Sequence, residues 1–103
     1  MKIGLSLAAL INRGGIGRYV RLLVENLPKY FPEHEYVGFA PVFRESETRE
    51  ILEKNNITNW EIIGVPGKNR WTYETKGLPG VIKDAGIDVF HGPDYLVPET
   101  DIP

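Results

Sequence analysis

Between Ile3 and Leu10 nearly every position is apolar or small, a run that suits a strand buried on both faces of a parallel sheet. The glycines at 14, 15 and 17 then break regular structure, and Ile16, Val20, Leu23, Leu27 and Phe31 recur at the spacing of one helix face. Arg18, Arg21, Glu25 and Lys29 fall on its outer side. Pro28 predicts an end between Leu27 and Tyr30, because it removes a backbone donor. Tyr36 to Ala40 predicts a second strand, stopped by Pro41. A polar helix over 47–55 follows, with Ser46 as its cap and Ile51 and Leu52 as its only anchors. Trp60 to Val65 predicts a third strand, closed by Pro66-Gly67. From Trp71 to Ala85 the pattern is helical but broken at Gly77, Pro79 and Gly80. Two pieces are expected there, the second over Pro79 to Ala85 with Gly86 as its cap. Asp88 to His91 predicts the fourth strand, which Gly92-Pro93 turns outward.

Strands alternating with helices predict an α/β fold, a Rossmann-like doubly wound parallel sheet with right-handed crossovers. One partial domain spans 1–103. The tail from Val97 to Pro103 shows no helical pattern at the place where an alternating fold starts its next strand, so the sequence reads as an interrupted domain. Such a domain leaves the edge of the fourth strand and apolar faces uncovered, and self-association is expected.

A composition 42% hydrophobic and 25% charged is that of a globular chain and excludes disorder. Twelve basic and fourteen acidic side chains, with no long run of one sign, argue against nucleic acid as a partner. The absence of cysteine excludes disulfides, thiol catalysis and cysteine-ligated metals. The apolar stretch after Lys2 runs into Asn12-Arg13-Gly14-Gly15 without a cleavage site, and no segment reaches the roughly 18 apolar residues of a membrane span. The expectation is a cytoplasmic protein, at most peripheral to a membrane.

Asn12-Arg13-Gly14-Gly15-Ile16-Gly17-Arg18 lies between a buried strand and a helix, where backbone N–H groups and the positive end of the helix dipole meet an anion. Glycine lets a phosphate approach the backbone, and Arg13 or Arg18 adds charge-assisted hydrogen bonds. The same residues also suit a tight turn that holds no ligand. A dinucleotide fingerprint fails, since Val20 stands at its third glycine and Phe39, Ala40 and Pro41 stand where its acidic residue belongs. No Gly-Lys-Ser/Thr triplet occurs, which excludes a Walker loop. His91 ends the fourth strand, ahead of Gly92-Pro93-Asp94-Tyr95. If the strand order is 3-2-1-4, it emerges beside the glycine segment at the topological switch point; a structural hydrogen-bonding role is the alternative. Trp71, Tyr73 and Leu78 read as core, with Trp71 at a substrate edge as the other option. His34 reads as solvated, and Glu47, Arg49, Glu50, Glu53 and Lys54 as a solvated helix face. Paired carboxylates, a metal cluster and a serine-histidine-aspartate set are all missing from the pattern.

Met1-Lys2-Ile3-Gly4, Arg13-Gly14-Gly15-Ile16-Gly17-Arg18-Tyr19 and Asp88-Val89-Phe90-His91-Gly92-Pro93-Asp94-Tyr95 together resemble family 4 glycosyltransferases. Glu35-Tyr36-Val37, Trp71, Glu74 and Leu78-Pro79 add to the likeness, which spans essentially the whole chain. The resemblance implies the N-terminal, acceptor-side portion of a GT-B enzyme, without its C-terminal nucleotide-sugar domain. That enzyme, of the hexosyltransferase type, would transfer a sugar with retention from a nucleotide-diphosphate donor to a sugar or lipid-linked acceptor, with no cofactor and no metal. By the same resemblance Gly14, Gly15, Gly17 and Arg18 would meet the donor diphosphate and His91 the transferred sugar. Arg13, Asp94 and Tyr95 would line the acceptor side of the cleft. Where many members carry a second histidine shortly after the first, this chain has Gly92-Pro93-Asp94. An isolated half of such a cleft is expected to be inactive. The alternative is a non-catalytic α/β binding or assembly module.

Overall fold

A computed structural model describes residues 1–11 and 14–92, apart from the Glu74 side chain. Strands β1 (Lys2–Ser6), β2 (Glu35–Pro41), β3 (Trp60–Val65) and β4 (Val89–His91) form one parallel sheet in the order β3-β2-β1-β4. Helices α1 (Gly15–Tyr30) and α2 (Glu45–Lys54) belong to the crossovers that step outward from β1 to β3. The return from β3 to β4 carries α3 (Arg70–Thr72), a π-helical turn over Tyr73–Gly77 and α4 (Leu78–Asp84). Right-handed crossovers in opposite directions place these helices on opposite faces of the sheet.

Alternation along the strands divides the apolar residues between two cores. Leu5, Tyr36 and Trp60 join Val20 and Val24 of α1 and Leu52 of α2, whereas Val37, Phe39 and Phe90 join Leu78 and Ile82 of α4. The apolar run from Ile3 to Leu10 is strand only as far as Ser6. Leu7 to Ile11 turn instead, with the Leu10 amide bonded to the Leu7 carbonyl at 3.0 Å. These residues are apolar because the turn itself is buried: Leu7, Ala9 and Leu10 enter one core and Ala8 the other.

Pro28 lies inside α1, which continues to Tyr30. The carbonyl of Val24, which an amide at position 28 would have met, accepts the indole N–H of Trp60 at 2.7 Å. A side chain from β3 thus makes good the donor that proline lacks. The helix end is held from the sheet as well, since the Tyr36 hydroxyl donates to the carbonyls of Phe31 at 2.7 Å and Leu27 at 3.1 Å.

Four further expectations are corrected. The polar helix begins at Glu45 after a 3-10 turn over Val42–Arg44, so Ser46 sits inside its first turn rather than at its cap. Its anchors include Thr48, fully buried because its hydroxyl donates to the Arg44 carbonyl at 2.9 Å. Trp71 is 60% exposed and not part of the core. Tyr73, two residues later, is fully buried, and a step of two residues on a helix points side chains to nearly opposite sides. His34 is half-buried, its ring 3.4 Å from the N-terminal amine and 3.6 Å from the Glu33 carboxylate.

Candidate functional site

The carboxyl end of β1 is fixed from below by Tyr73. Its hydroxyl donates to the Phe39 carbonyl at 2.7 Å, so the Ser6 hydroxyl, 2.8 Å away, donates to the phenol oxygen. The Leu7 amide meets the same Phe39 carbonyl at 2.8 Å. From this anchored end the buried turn leads toward the start of α1.

Gly14 is the residue before that helix, with φ 92° and ψ −166°. This region of backbone space belongs to glycine, and any other residue there is strained. The carbonyl of Gly14 accepts the amide of Arg18 at 3.1 Å, closing the first turn. The amides before it, those of Gly15, Ile16 and Gly17, precede the point where intrahelical bonding begins and lie at the positive end of the helix dipole. Gly15 differs from its neighbour in an informative way. A β-carbon built on it meets nothing within 4 Å among the described residues, and its φ is not one that demands glycine. Among the described residues the fold therefore explains glycine at 14 and gives no reason for it at 15, where the space they leave open would admit a ligand close to the backbone. Gly17 is buried in the helix.

His91 is the last residue of β4 and pairs with Leu5 of β1, which places it on the α1 side of the sheet. Its ring is exposed, and Nε2 lies 3.3 Å from the hydroxyl of Tyr19. The two rings meet edge to face, with centroids 6.2 Å apart and planes at 78°. Either the hydroxyl donates to a bare Nε2 or a protonated Nε2 donates to the hydroxyl oxygen. The strand order 3-2-1-4 and the adjacency of β1 and β4 are as expected from the sequence, so His91 and the glycine-rich start of α1 share the carboxyl edge of the sheet.

Arg18 occupies the other flank of α1. It lines a groove of about 200 Å3 with Leu10, Arg21, Glu25 and Ile51, toward α2 and away from His91. Arg13, Asp94 and Tyr95 lie outside the described residues. Tyr19 is the site residue that pattern reading missed. It belongs to neither the core stripe nor the charged face of α1, but falls on a third stripe with Leu22, Asn26 and Tyr30 at steps of three and four. That stripe lines an apolar groove of about 320 Å3 along the helix.

Among the described residues no group of three or more histidine, aspartate or glutamate side chains is placed to hold a metal ion, and no helix is long and apolar enough to cross a membrane. Comparison with protein-family models, curated protein sequences and solved structures gives no match to the chain.

Proposed function

We propose that the chain is the acceptor-side portion of a retaining glycosyltransferase of the GT-B type, akin to family 4, acting on a nucleotide-diphosphate sugar. The observation that carries this reading is the meeting of His91 with Tyr19 beside the glycine-rich start of α1, at the carboxyl edge where β1 and β4 adjoin. Ligands of open parallel sheets settle in the crevice above such a switch point.

In this reading the donor diphosphate lies against the first-turn amides of α1, and Gly15 leaves its approach clear. Oriented N–H groups and the helix dipole favour the negative charge that grows on the departing diphosphate. The imidazole of His91, oriented by the Tyr19 hydroxyl, hydrogen-bonds a hydroxyl of the transferred sugar. Arg18 adds charge from the flank of the helix, and Arg13, Asp94 and Tyr95 line the acceptor side. The acceptor is a sugar or a lipid-linked sugar. Turnover requires the second half of the cleft to hold donor against acceptor.

Amide and imidazole NMR signals of the chain, titrated with nucleoside diphosphates and nucleotide sugars, test the reading at weak affinity. Perturbations should centre on Gly14, Gly15, Gly17 and His91 and should vanish in Gly15→Val. The apolar groove along α1 favours a second reading, a non-catalytic binding module. Perturbations confined to that groove, or none at all, would replace the transferase with the module.

A further inference from the structure

β3 lies at the far side of the sheet from β4 and, among the described residues, is an edge strand. Alternation decides which of its backbone groups face outward. The Phe39 carbonyl of β2 bonds the Leu7 amide, so Phe39 is turned to β1 and Gly38 to β3. Gly38 stands opposite Ile62, and in a parallel pair its partners are the residues on either side, Glu61 and Ile63. The N–H and carbonyl of Ile62 therefore point away from the sheet, as do those of Gly64. Outward groups of this kind are a template for a further strand.

Two side chains of α2 lie over this edge. Nη2 of Arg49 donates to the Ile62 carbonyl at 3.2 Å and so takes up an outward acceptor. The guanidinium is held there by Glu45, one helical turn earlier, with Nε and Nη2 each 2.9 Å from the carboxylate oxygen Oε2. Gly64 completes the arrangement. A β-carbon on it would strike the Glu45 carboxylate, so glycine lets the carboxylate settle against the strand. Both side chains stay partly exposed, and an exposed ion pair adds little to stability. Its placement matters more, because a further strand would need both the Ile62 carbonyl and the space that the two side chains fill.

We propose that Glu45 and Arg49 form a clasp that closes the β3 edge against a strand from a second copy of the chain, with glycine at 64 to admit it. The pairing kept out is edge to edge, with β3 of each copy antiparallel across a two-fold axis. The clasp does not depend on the transferase reading.

Amide hydrogen exchange, read by NMR at rising protein concentration, reports on this edge separately from contacts made on other surfaces. In the wild-type chain, exchange at Ile62 and Gly64 should not depend on concentration. In Arg49→Ala it should slow about 10-fold once most chains are paired. Arg49 is exposed, so the variant keeps the fold. Glu45→Ala, which releases the guanidinium without removing it, should act in the same direction. Exchange that is independent of concentration in both variants overturns the proposal, because something other than the clasp would then close the edge. Slowing in the wild type as large as in Arg49→Ala overturns it too, since the edge would be open with the clasp in place.

Discussion

Nε2 of His91 lies 3.3 Å from the hydroxyl oxygen of Tyr19, joining the last residue of β4 to the second turn of α1. The two residues are 72 positions apart in the chain, so the contact exists only because β4 returns to pair with β1.

Tyr19→Phe keeps the ring and removes the hydroxyl. On this exposed pair the loss should change stability by less than about 1 kcal/mol. The tautomer balance of the His91 ring should nevertheless shift, because the hydroxyl selects which nitrogen carries the proton. Long-range nitrogen–proton NMR reads that balance directly. An identical spectrum in the variant would mean that Tyr19 does not orient the ring.

The glycine pair should respond unequally to alanine. At Gly14 the backbone conformation excludes a β-carbon, and Gly14→Ala should cost on the order of 1–3 kcal/mol. At Gly15 the space is open among the described residues and the residue is helical, so Gly15→Ala should be neutral or stabilise by up to about 1 kcal/mol. Urea unfolding separates them. If Gly15→Ala also destabilises, glycine at 15 has a structural cause, and its support for a bound anion is gone.

Which of these features the sequence reveals follows from the range of the forces involved. The strand order and the edge shared by His91 and the glycine turn were legible, because alternation and crossover handedness leave few arrangements. The end of β1 was not, since Leu7 to Leu10 are as apolar in a buried turn as in a strand. Gly77 reads as a helix break, yet its role is approach: a β-carbon there would strike the Pro66 carbonyl and Val65. Trp71 and Tyr73 are both aromatic in one helical stretch, and only the hydrogen bonds of Tyr73 to Ser6 and Phe39 decide which turns inward. Tyr19 was invisible because its partner lies on a different element.

Trp60 and Pro28 should be coupled. Trp60→Phe leaves the Val24 carbonyl without the indole proton, at a cost of about 1–3 kcal/mol. Pro28→Ala restores an amide in reach of the same carbonyl, and in that background Trp60→Phe should cost less. A double-mutant cycle measures the difference. Strict additivity would show that the indole and the missing amide do not substitute for each other.

Alkaline stability should depend on Tyr36. Burial, with the Glu33 carboxylate adding to it, raises this phenol above the ordinary tyrosine value of about 10. The neutral form is the one the fold prefers, and its proton serves the Leu27 and Phe31 carbonyls. Its contribution is whole below the ordinary value and is lost as pH climbs through the raised one. At neutral pH Tyr36→Phe should be less stable by about 1 kcal/mol, and the gap should close above about pH 10. Urea midpoints of both proteins across that range test the sign; a gap that widens at high pH would contradict it.

Self-association is expected through α1 and the edge beside it. Tyr19, Leu22 and Tyr30 are exposed on one stripe of α1 and Phe31 is exposed just past its end, not on the core face the sequence suggests, and with Leu23, Asn26 and Leu27 they line a groove of about 320 Å3. Contiguous apolar surface of this kind favours association. Next to it β4 is, among the described residues, the edge strand on its side of the sheet, and such an edge is a template for a second strand. A net charge of −2 offers little long-range repulsion against either contact. A two-fold arrangement lets each copy present the same stripe to the other and satisfy both surfaces at once. Sedimentation velocity over a range of micromolar concentrations should show reversible growth in mass. Leu22→Glu, which puts a charge in the groove at an exposed position and leaves the core untouched, should return the chain to monomer. A wild-type chain that stays monomeric throughout the range would mean that the stripe is covered within one molecule, and a Leu22→Glu dimer would move the contact to another face.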